Sequence, residues 1–450
     1  MRIHFIAIGG SAMHNLAIAL HKKGYQITGS DDVIFEPAKS RLDKYGLLPA
    51  EMGWEESRIN STLDAVILGM HARIDNPELL KAQALGVKIY SYPEYIYEQS
   101  KNKLRVVIGG SHGKTTITSM ILHVLNYYNR DFDYLVGAQL AGFETMVKVT
   151  EDAPVMIIEG DEYLSSPIDR RPKFHLYKAN VAVISGIAWD HINVFPTYGD
   201  YTSQFAKFID TIEENGTLIY CEADADLKKI VANSEAKVNK IGYAIPPHEI
   251  ESGITYLLPD RKALKIFGDH NLMNLNAAKL VCGQLDIPAG DFDKAIASFT
   301  GAAKRLEVIS ADESTNVYKD FAHSPSKLKA TIDAVKAQFT RRKLVACIEL
   351  HTFSSLNKDF LKEYAGAMDK ADEAIVFIDL KSFVQKQMEP FSEEDVQAAF
   401  SNPKLKFFND AALLKSYLLS LNYKNVNLLM MSSGNYAGFD LPELAAALKK

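Results

Sequence analysis

Short runs of consecutive apolar residues alternate with amphipathic stretches in the first hundred residues. The run 4–8 leads through a glycine pair into Met13, Leu16 and Leu20, which recur at helical spacing. Strands that are apolar throughout and joined by helices are typical of a parallel sheet covered on both faces. The pattern therefore predicts a doubly wound α/β domain at the start of the chain.

The same alternation returns twice along the chain. Further apolar strands are predicted at 104–108, 155–158, 181–184, 344–348, 374–377 and 427–431. The segment 217–267 instead shows short strands separated by turns. The polar run 99–103 and Gly301 mark candidate boundaries. We therefore predict three α/β domains, with the boundaries 1–102, 103–301 and 302–450.

Composition narrows the class of protein. The 450 residues are 47% hydrophobic and 24% charged, which is ordinary for a globular protein. No apolar run approaches the ~20 residues that span a bilayer, and the start has no signal-peptide anatomy. The net charge of −6 argues against a basic nucleic-acid surface. Cys221, Cys282 and Cys347 lie too far apart for a zinc motif or a disulfide framework. We expect a cytoplasmic protein without membrane insertion or a nucleic-acid partner.

The strongest chemical signal is a glycine-rich loop between a predicted strand and a predicted helix. Glycines let backbone N–H groups approach phosphate oxygens, and the helix N-terminus adds partial positive charge. Lys114 can reach terminal phosphates, and the Thr115 hydroxyl can ligate Mg²⁺. Because Ile108 stands where the eight-residue nucleotide motif begins with glycine, a purely structural turn is the alternative. The loop reads Gly110-Ser111-His112-Gly113-Lys114-Thr115-Thr116.

Acidic and imidazole side chains follow two other predicted strands. Glu159-Gly160-Asp161-Glu162 comes directly after one strand, and Asp190-His191 follows the next. The carboxyl ends of parallel strands meet at one edge of a sheet, where a nucleotide's metal must be held. Oxygen ligands with one imidazole suit Mg²⁺ and Mn²⁺ alike.

The first glycine turn suggests a second nucleotide site. Gly9, Gly10 and Ser11 follow the first strand, and Asp31 comes about twenty residues later, as in a dinucleotide fingerprint. The third glycine of that fingerprint is missing. NAD and a UDP-sugar fit these residues equally well.

Together these motifs resemble the Mur ligase family, ATP-dependent amide-forming enzymes of peptidoglycan metabolism. The resemblance covers essentially the whole chain. Its most specific motifs, in order, are residues 110–116, 159–162, 190–191, 268–274, 304–307 and 320–325. It implies a Rossmann-like UDP-binding domain, a central P-loop ATP-binding domain and a Rossmann-like C-terminal domain.

The resemblance also implies roles for single residues. Lys114 would hold the β- and γ-phosphates, Thr115 and Glu159 would ligate Mg²⁺, and His191 would join a second metal ion. Arg305, at a hinge, would meet phosphate when the third domain closes. The remaining implied contacts are Asn271 and Asn274 near the adenine, Asp320 and His323 on the ATP face, Gly9, Gly10, Ser11 and Asp31 at UDP, and Ser433 and Gly434 at the substrate.

Within the family, the first glycine turn resembles the branch that binds UDP-N-acetylmuramate. Residues 162–174, 320–323 and 431–438 resemble the member that adds the recycled tripeptide L-alanyl-γ-D-glutamyl-meso-diaminopimelate. We therefore expect tripeptide ligation through an acyl phosphate, with L-alanine as the alternative amine. A monomer or weak homo-oligomer is expected.

Several positions depart from the family pattern. Gly160 replaces a usual alanine, and Ser324 replaces a second histidine. Residues 349–355 stand where relatives carry an arginine-containing loop. The lysine that many members carbamylate falls near Ser203, with Lys207 one helical turn later, so its use here is open.

Two other classes of function compete with ligation. An NAD-linked oxidoreductase would use the first glycine turn, but it leaves the loop at 110–116 and Glu159 unexplained. A nucleotide-binding regulator without catalysis is the other. The presence of Lys114, Thr115, Glu159 and His191 argues against it.

Overall fold

The computed structural model describes residues 1–189, 194–302 and 305–448. The chain divides into two compact units. The first comprises residues 1–187, 198–244 and 277–289, and the second comprises 188–197, 245–276 and 290–450. Among the helices described, none is sufficiently long and apolar to cross a bilayer.

A four-stranded parallel sheet with the order β2-β1-β3-β4 opens the first unit. Its elements are β1 (Arg2–Ile6), α1 (Ser11–Lys22), β2 (Gln26–Ser30), α2 (Ala38–Lys44), β3 (Ala65–Leu68), α3 (Pro77–Ala84), β4 (Ile89–Ser91) and α4 (Tyr92–Ser100). Phe5 and Ile6, adjacent residues of β1 that point to opposite faces, are both fully buried. Both faces of the sheet are therefore covered, as the apolar runs predict.

A seven-stranded sheet with the order β11-β10-β9-β5-β8-β6-β7 completes the first unit. Its elements are β5 (Leu104–Gly109), α5 (Lys114–Tyr127), β6 (Asp133–Leu135), β7 (Val147–Lys148), β8 (Val155–Glu159), β9 (Val181–Ile184), α6 (Tyr198–Asp210), β10 (Thr217–Cys221), α7 (Ala225–Asn233) and β11 (Asn239–Tyr243). Only the pair β6–β7 is antiparallel. Because β5 lies between β8 and β9, the loop that follows β5 leaves the middle of the sheet.

The chain then forms a three-stranded antiparallel sheet and a six-stranded sheet, both in the second unit. The elements are β12 (His248–Glu251), β13 (Ile254–Leu257), β14 (Lys262–Leu264), α8 (Asp269–Gln284), α9 (Ala289–Ile296), β15 (Glu307–Ala311), β16 (Asn316–Asp320), α10 (Pro325–Gln338), β17 (Lys343–Glu349), α11 (Lys358–Leu361), β18 (Glu373–Phe377), α12 (Lys381–Lys386), α13 (Glu393–Ala399), β19 (Lys406–Phe408), α14 (Ala411–Ser420), β20 (Val426–Met431) and α15 (Leu441–Ala447). The larger sheet has the order β15-β16-β20-β17-β18-β19, with β15 antiparallel. The predicted α/β architecture is confirmed, while the predicted domain boundaries stay predictions.

Three local expectations differ from the structure. The first strand ends at Ile6, because Ala7 takes a φ of +67°. The predicted linker 99–103 begins too early, since α4 runs to Ser100, whose buried hydroxyl donates to the Ile96 carbonyl at 2.7 Å. The segment 217–267 contains the helix α7, which an all-strand interpretation missed. Its start is capped by the Asp224 carboxylate.

Candidate functional site

The loop after β5 is shaped by glycines in conformations that other residues avoid. Gly110 has a φ of +124°, and Gly113, with a φ of +82°, precedes the first residue of α5. A Cβ on Gly110 would overlap the Ser185 Oγ and lie 2.8 Å from the Ser185 backbone nitrogen. The Ser111 N–H donates to the Gly186 carbonyl at 2.9 Å. The residues after β9 thus fix the path of the loop.

Lys114 is held inside this loop by two acceptors. Its ammonium donates to the Gly110 carbonyl at 2.7 Å and to the Glu162 carboxylate at 2.8 Å. Burial by itself would lower the pKa of Lys114, but the charges of Glu162 and Asp161 outweigh it and leave that pKa above its ordinary value. Lys114 is therefore a fixed positive charge at the start of α5.

Thr115 and Glu159 lie side by side, as the sequence predicts. The Thr115 hydroxyl donates to Glu159 Oε1 at 2.7 Å, and the Gly137 N–H donates to Oε2 at 2.8 Å. Burial, and then repulsion from Asp161, raise the pKa of Glu159 despite those two hydrogen bonds. Two oxygen donors beside a phosphate loop fit Mg²⁺, which usually takes its other ligands from phosphate and water.

The predicted imidazole ligand, His191, lies outside the described residues. Within the described parts of the chain, no group of three or more His, Cys, Asp or Glu side chains could hold a metal ion. The metal role of Thr115, Glu159 and His191 stays a prediction.

The other loop residues are mostly engaged within the protein. The Ser111 hydroxyl shares a hydrogen bond of 2.6 Å with the Tyr201 hydroxyl, and the His112 carbonyl accepts from the Ser185 hydroxyl. Thr116 is buried on α5. The Ser111 side chain and the His112 carbonyl thus help to fix the path of the loop.

Asp31 holds the first glycine turn in shape. Its Oδ2 accepts from the Gly9 N–H at 2.7 Å, and a Cβ on Gly9 would lie 2.9 Å from that oxygen. Burial raises the pKa of Asp31 to about 6, even though the Gly9 N–H opposes the shift. Asp31 therefore shapes the turn made by Gly9, Gly10 and Ser11. Its predicted contact with UDP stays a prediction.

One connecting segment, residues 136–146 between β6 and β7, contacts residues beside the phosphate loop and residues beside the first glycine turn. At one end, Gly137 supports Glu159. At the other end, the Met146 N–H donates to Asn15 at 2.9 Å, and its sulfur lies 3.8 Å from the Ser11 hydroxyl. The predicted UDP turn and the predicted metal carboxylate thus share one supporting segment.

In the second unit, the predicted hinge and ATP-face residues form one cluster. The Asp320 carboxylate accepts from the backbone N–H groups of Leu306 and Ala322, each at 2.7 Å. The Arg305 guanidinium lies over the Phe321 ring, 4.8 Å from its centroid. The His323 ring is hydrogen-bonded to the Phe321 carbonyl at 2.7 Å. Asp320 thus fixes the backbone next to Arg305 and has both oxygens engaged there.

The predicted adenine-side residues lie near the start of α8. Asn271 and Asn274 are both buried, and the Asn271 amide donates to the Phe267 carbonyl at 2.9 Å. They lie three residues apart, on one face of the helix. Their contact with adenine stays a prediction.

The predicted substrate residues Ser433 and Gly434 follow β20, and Gly434 lies against Glu349 at the end of β17. Glu349 is buried and accepts from the Ser432 hydroxyl and from the Tyr436 N–H. A Cβ on Gly434 would lie 2.7 Å from Glu349 Oε2 and 3.0 Å from His351. This chain therefore has a buried carboxylate that fixes the glycine loop after β20.

Two departures from the family pattern gain a structural context. A Cβ on Gly160 would lie 2.7 Å from Val107 Cγ1, so the close packing of β8 on β5 favours glycine there. Lys207, the candidate for carbamylation, is exposed on α6, and the Ser203 hydroxyl donates to the Asp200 carbonyl. Carbamylation of Lys207 stays a prediction.

The sequence alone does not identify several residues that support the candidate site. Glu162 lies in the acidic motif, but nothing in the motif shows that its partner is Lys114. Gly137, Ser185 and Glu349 carry no recognisable signal, because each acts through a contact with a residue far away in sequence.

Sequence profiles of one family match almost the entire chain. The profile described as Mur ligase family, catalytic domain, matches residues 2–103. The Mur ligase middle domain matches 108–282. The glutamate ligase domain of Mur ligases matches 304–434.

Curated relatives point the same way. The chain is 29% identical over 390 residues to the UDP-N-acetylmuramate–L-alanine ligase of Desulforamulus reducens, covering 83% of this chain and 82% of the relative. It is 31% identical over 390 residues to the enzyme of the same name from Caldicellulosiruptor bescii, with the same two coverages.

Solved structures share the fold. A UDP-N-acetylmuramate–alanine ligase from Thermotoga maritima superposes with a TM-score of 0.68 at 20% identity, covering 100% of this chain and 98% of that one. A murein peptide ligase from Psychrobacter arcticus gives a TM-score of 0.62 at 21% identity, with the same coverages. The profiles and relatives lead to one conclusion: the chain belongs to the Mur ligase family, whose members are ATP-dependent amide-bond ligases.

Proposed function

We propose that this protein joins the lactyl carboxylate of UDP-N-acetylmuramate to the amine of L-alanine and converts ATP to ADP and phosphate. The proposed use of ATP rests on the loop at 110–116. There Lys114 is held by the Gly110 carbonyl, and Thr115 lies beside Glu159. The choice of substrates is supported by the names of relatives that match more than four-fifths of the chain.

The loop would bind the phosphates of ATP through its backbone N–H groups and through Lys114. Thr115 and Glu159 would hold Mg²⁺, which supplies charge neutralisation at the γ-phosphate when it is bound. The lactyl carboxylate would attack the γ-phosphorus, break its bond to the β–γ bridging oxygen, release ADP and form an acyl phosphate. Lys114 would balance the negative charge that develops in that step. The amine would then attack the acyl carbon and expel phosphate.

The first glycine turn would hold the UDP part of the sugar nucleotide. The N–H groups at the start of α1 can bind a diphosphate, as helix N-termini generally do. Asp31 would keep the turn open to the ligand by holding the Gly9 N–H. Contacts of Gly9, Gly10 and Ser11 with UDP are part of this proposal.

A second candidate amine donor is the tripeptide L-alanyl-γ-D-glutamyl-meso-diaminopimelate, which would place the enzyme in peptidoglycan recycling. Sequence reasoning put it first, whereas the relatives' names favour L-alanine. The observation in its favour is an ordered hairpin after Glu162. The Ser165 N–H donates to the Arg171 carbonyl at 3.0 Å, and the Arg171 guanidinium pairs with Asp169 at 2.7 Å and lies 3.6 Å from Glu94 of α4. A peptide with several carboxylates would compete with these two acids for the guanidinium.

The test is phosphate release from ATP with Mg²⁺ and UDP-N-acetylmuramate, comparing L-alanine with the tripeptide. Release with L-alanine, together with a product of the summed mass, supports the first candidate. Release with the tripeptide alone moves the protein to the second. If neither amine gives phosphate release, the proposed substrates are wrong. Intact ATP binding in that case would still support the proposed phosphate loop.

A further inference from the structure

Glu162 stands apart from the other acids of its motif because it faces Lys114. The Glu162 side chain is fully buried, and its Oε2 lies 2.8 Å from the Lys114 ammonium. Glu159, three residues earlier, is occupied instead by Thr115 and Gly137. Glu162 thus binds Lys114, whereas Glu159 binds Thr115 and Gly137.

The backbone on both sides of Glu162 is pinned. The Gly160 N–H donates to the Ile108 carbonyl at 2.8 Å, which ties the segment to β5. Beyond Glu162, the Lys173 N–H donates to the Tyr163 carbonyl at 2.8 Å, within the hairpin that follows. Glu162 is therefore a carboxylate at a fixed position under the loop.

A lysine side chain needs such a partner more than an arginine does. Its ammonium is a compact charge on a flexible four-carbon stem, which can take many conformations. Lys114 has the Gly110 carbonyl as its other acceptor, and this group belongs to the same loop. Among the described residues, Glu162 is the acceptor that ties the ammonium to the segment after β8.

We propose that Glu162 is a positioning residue that holds the Lys114 ammonium before ATP binds and gives it up to the phosphates of ATP. This inference rests on the proposed phosphate-binding role of Lys114. When ATP enters, its terminal oxygens compete with Glu162 for the ammonium. Glu162 therefore weakens ATP binding slightly and aims Lys114 at the reacting phosphate.

For Glu162→Gln we expect tighter binding of ATP together with slower turnover. Removing a negative charge near the phosphates should lower the Kd for ATP about threefold. Glutamine leaves the ammonium only a neutral acceptor in place of a carboxylate, so kcat should fall about tenfold. A partly unfolded protein would lose turnover without binding ATP more tightly, so the combination separates positioning from a merely structural role.

The matched control is Glu213→Gln. Glu213 pairs with the buried Arg105 at 3.1 Å, at the opposite end of β5 from the phosphate loop. The same charge is removed from an ion pair whose carboxylate is partly exposed and lies away from the loop, so both the Kd for ATP and kcat should stay unchanged.

The experiment measures ATP binding by calorimetry without amine, and kcat by phosphate release, in the full-length protein. A folded Glu162→Gln variant with an unchanged or raised Kd overturns the inference. If that variant does not fold, Glu162→Asp decides, because it keeps the charge and shortens the side chain. Its Kd should match that of the unmodified protein while kcat falls; an unchanged kcat overturns the inference. Lys114→Ala with undiminished ATP binding would instead contradict the proposed phosphate loop itself.

Discussion

Replacing Gly110 by alanine tests whether the shape of the phosphate loop is what makes it bind ATP. Gly110 has a φ of +124°, far from the conformations that alanine prefers. The added Cβ would also overlap the Ser185 Oγ and come within 2.8 Å of the Ser185 backbone nitrogen. The hydroxyl can rotate away, but the backbone N–H is held by the Gly109 carbonyl at 3.1 Å.

Two costs therefore add in Gly110→Ala. Backbone strain in a sparsely populated region costs about 1–3 kcal/mol. Forcing a methyl group against a fixed backbone costs a further ~1–3 kcal/mol. The loop can escape both costs only by giving up the conformation that presents its N–H groups. A loss of about 2 kcal/mol in transition-state binding corresponds to roughly a thirty-fold fall in kcat/KM for ATP.

The assay is phosphate release at varied ATP with saturating UDP-N-acetylmuramate and amine. The control is Gly24→Ala, because Gly24 also has a positive φ, +88°, but a Cβ there meets nothing within 4 Å. It should cost about 1 kcal/mol of stability and leave kcat/KM for ATP unchanged. A Gly110→Ala protein that keeps kcat/KM within about threefold of the unmodified value would refute the argument from loop shape.

Three further predictions concern stability, measured by urea unfolding. Folding raises the pKa of the buried Asp31 carboxyl to about 6, so its contribution to stability is present at low pH and is lost as pH rises through about 6. The free energy of unfolding of Asp31→Asn should therefore increase relative to that of the unmodified protein between pH 5 and pH 7.5. The same substitution at the exposed Asp43 should show no such increase. Asp320→Asn should cost about 1–3 kcal/mol, because an amide can accept from only one of its two backbone N–H partners. Gly283→Ala should add about 0.5–1 kcal/mol, because Gly283 lies on α8 and a Cβ there meets nothing within 4 Å. An Asp31→Asn difference that is flat with pH, or a neutral Asp320→Asn, would contradict these assignments.

The sequence predicts the architecture well where strands are buried on both faces. The runs 155–158 and 181–184 are apolar throughout, and the structure places them in β8 and β9 of the central sheet. The sequence does not predict β7, a strand of two residues at the sheet edge, or α7, whose buried face includes only Leu227 and Val231. Short elements with small buried faces leave too weak a pattern to read.

The candidate site is predicted in part for a similar reason. The rule that parallel strands end at one edge correctly brings Glu159 to Thr115, because β5 and β8 pair with Ile108 opposite Glu159. The same rule cannot tell which acid faces Lys114, since that depends on the turn at Gly160. Nor does it show that the Asp320 carboxylate accepts hydrogen bonds from the backbone N–H groups of Leu306 and Ala322. Such assignments need side-chain directions, which sequence spacing does not contain.

In the proposed reaction, ATP activates the carboxylate of UDP-N-acetylmuramate by phosphorylating it. The most direct test labels that carboxylate with ¹⁸O and examines the phosphate released during ligation by mass spectrometry. Attack of the carboxylate on the γ-phosphorus leaves one of its oxygens on phosphate when the amine displaces it. We expect phosphate that carries one ¹⁸O atom for each amide bond formed. Ligation with unlabelled phosphate would contradict it.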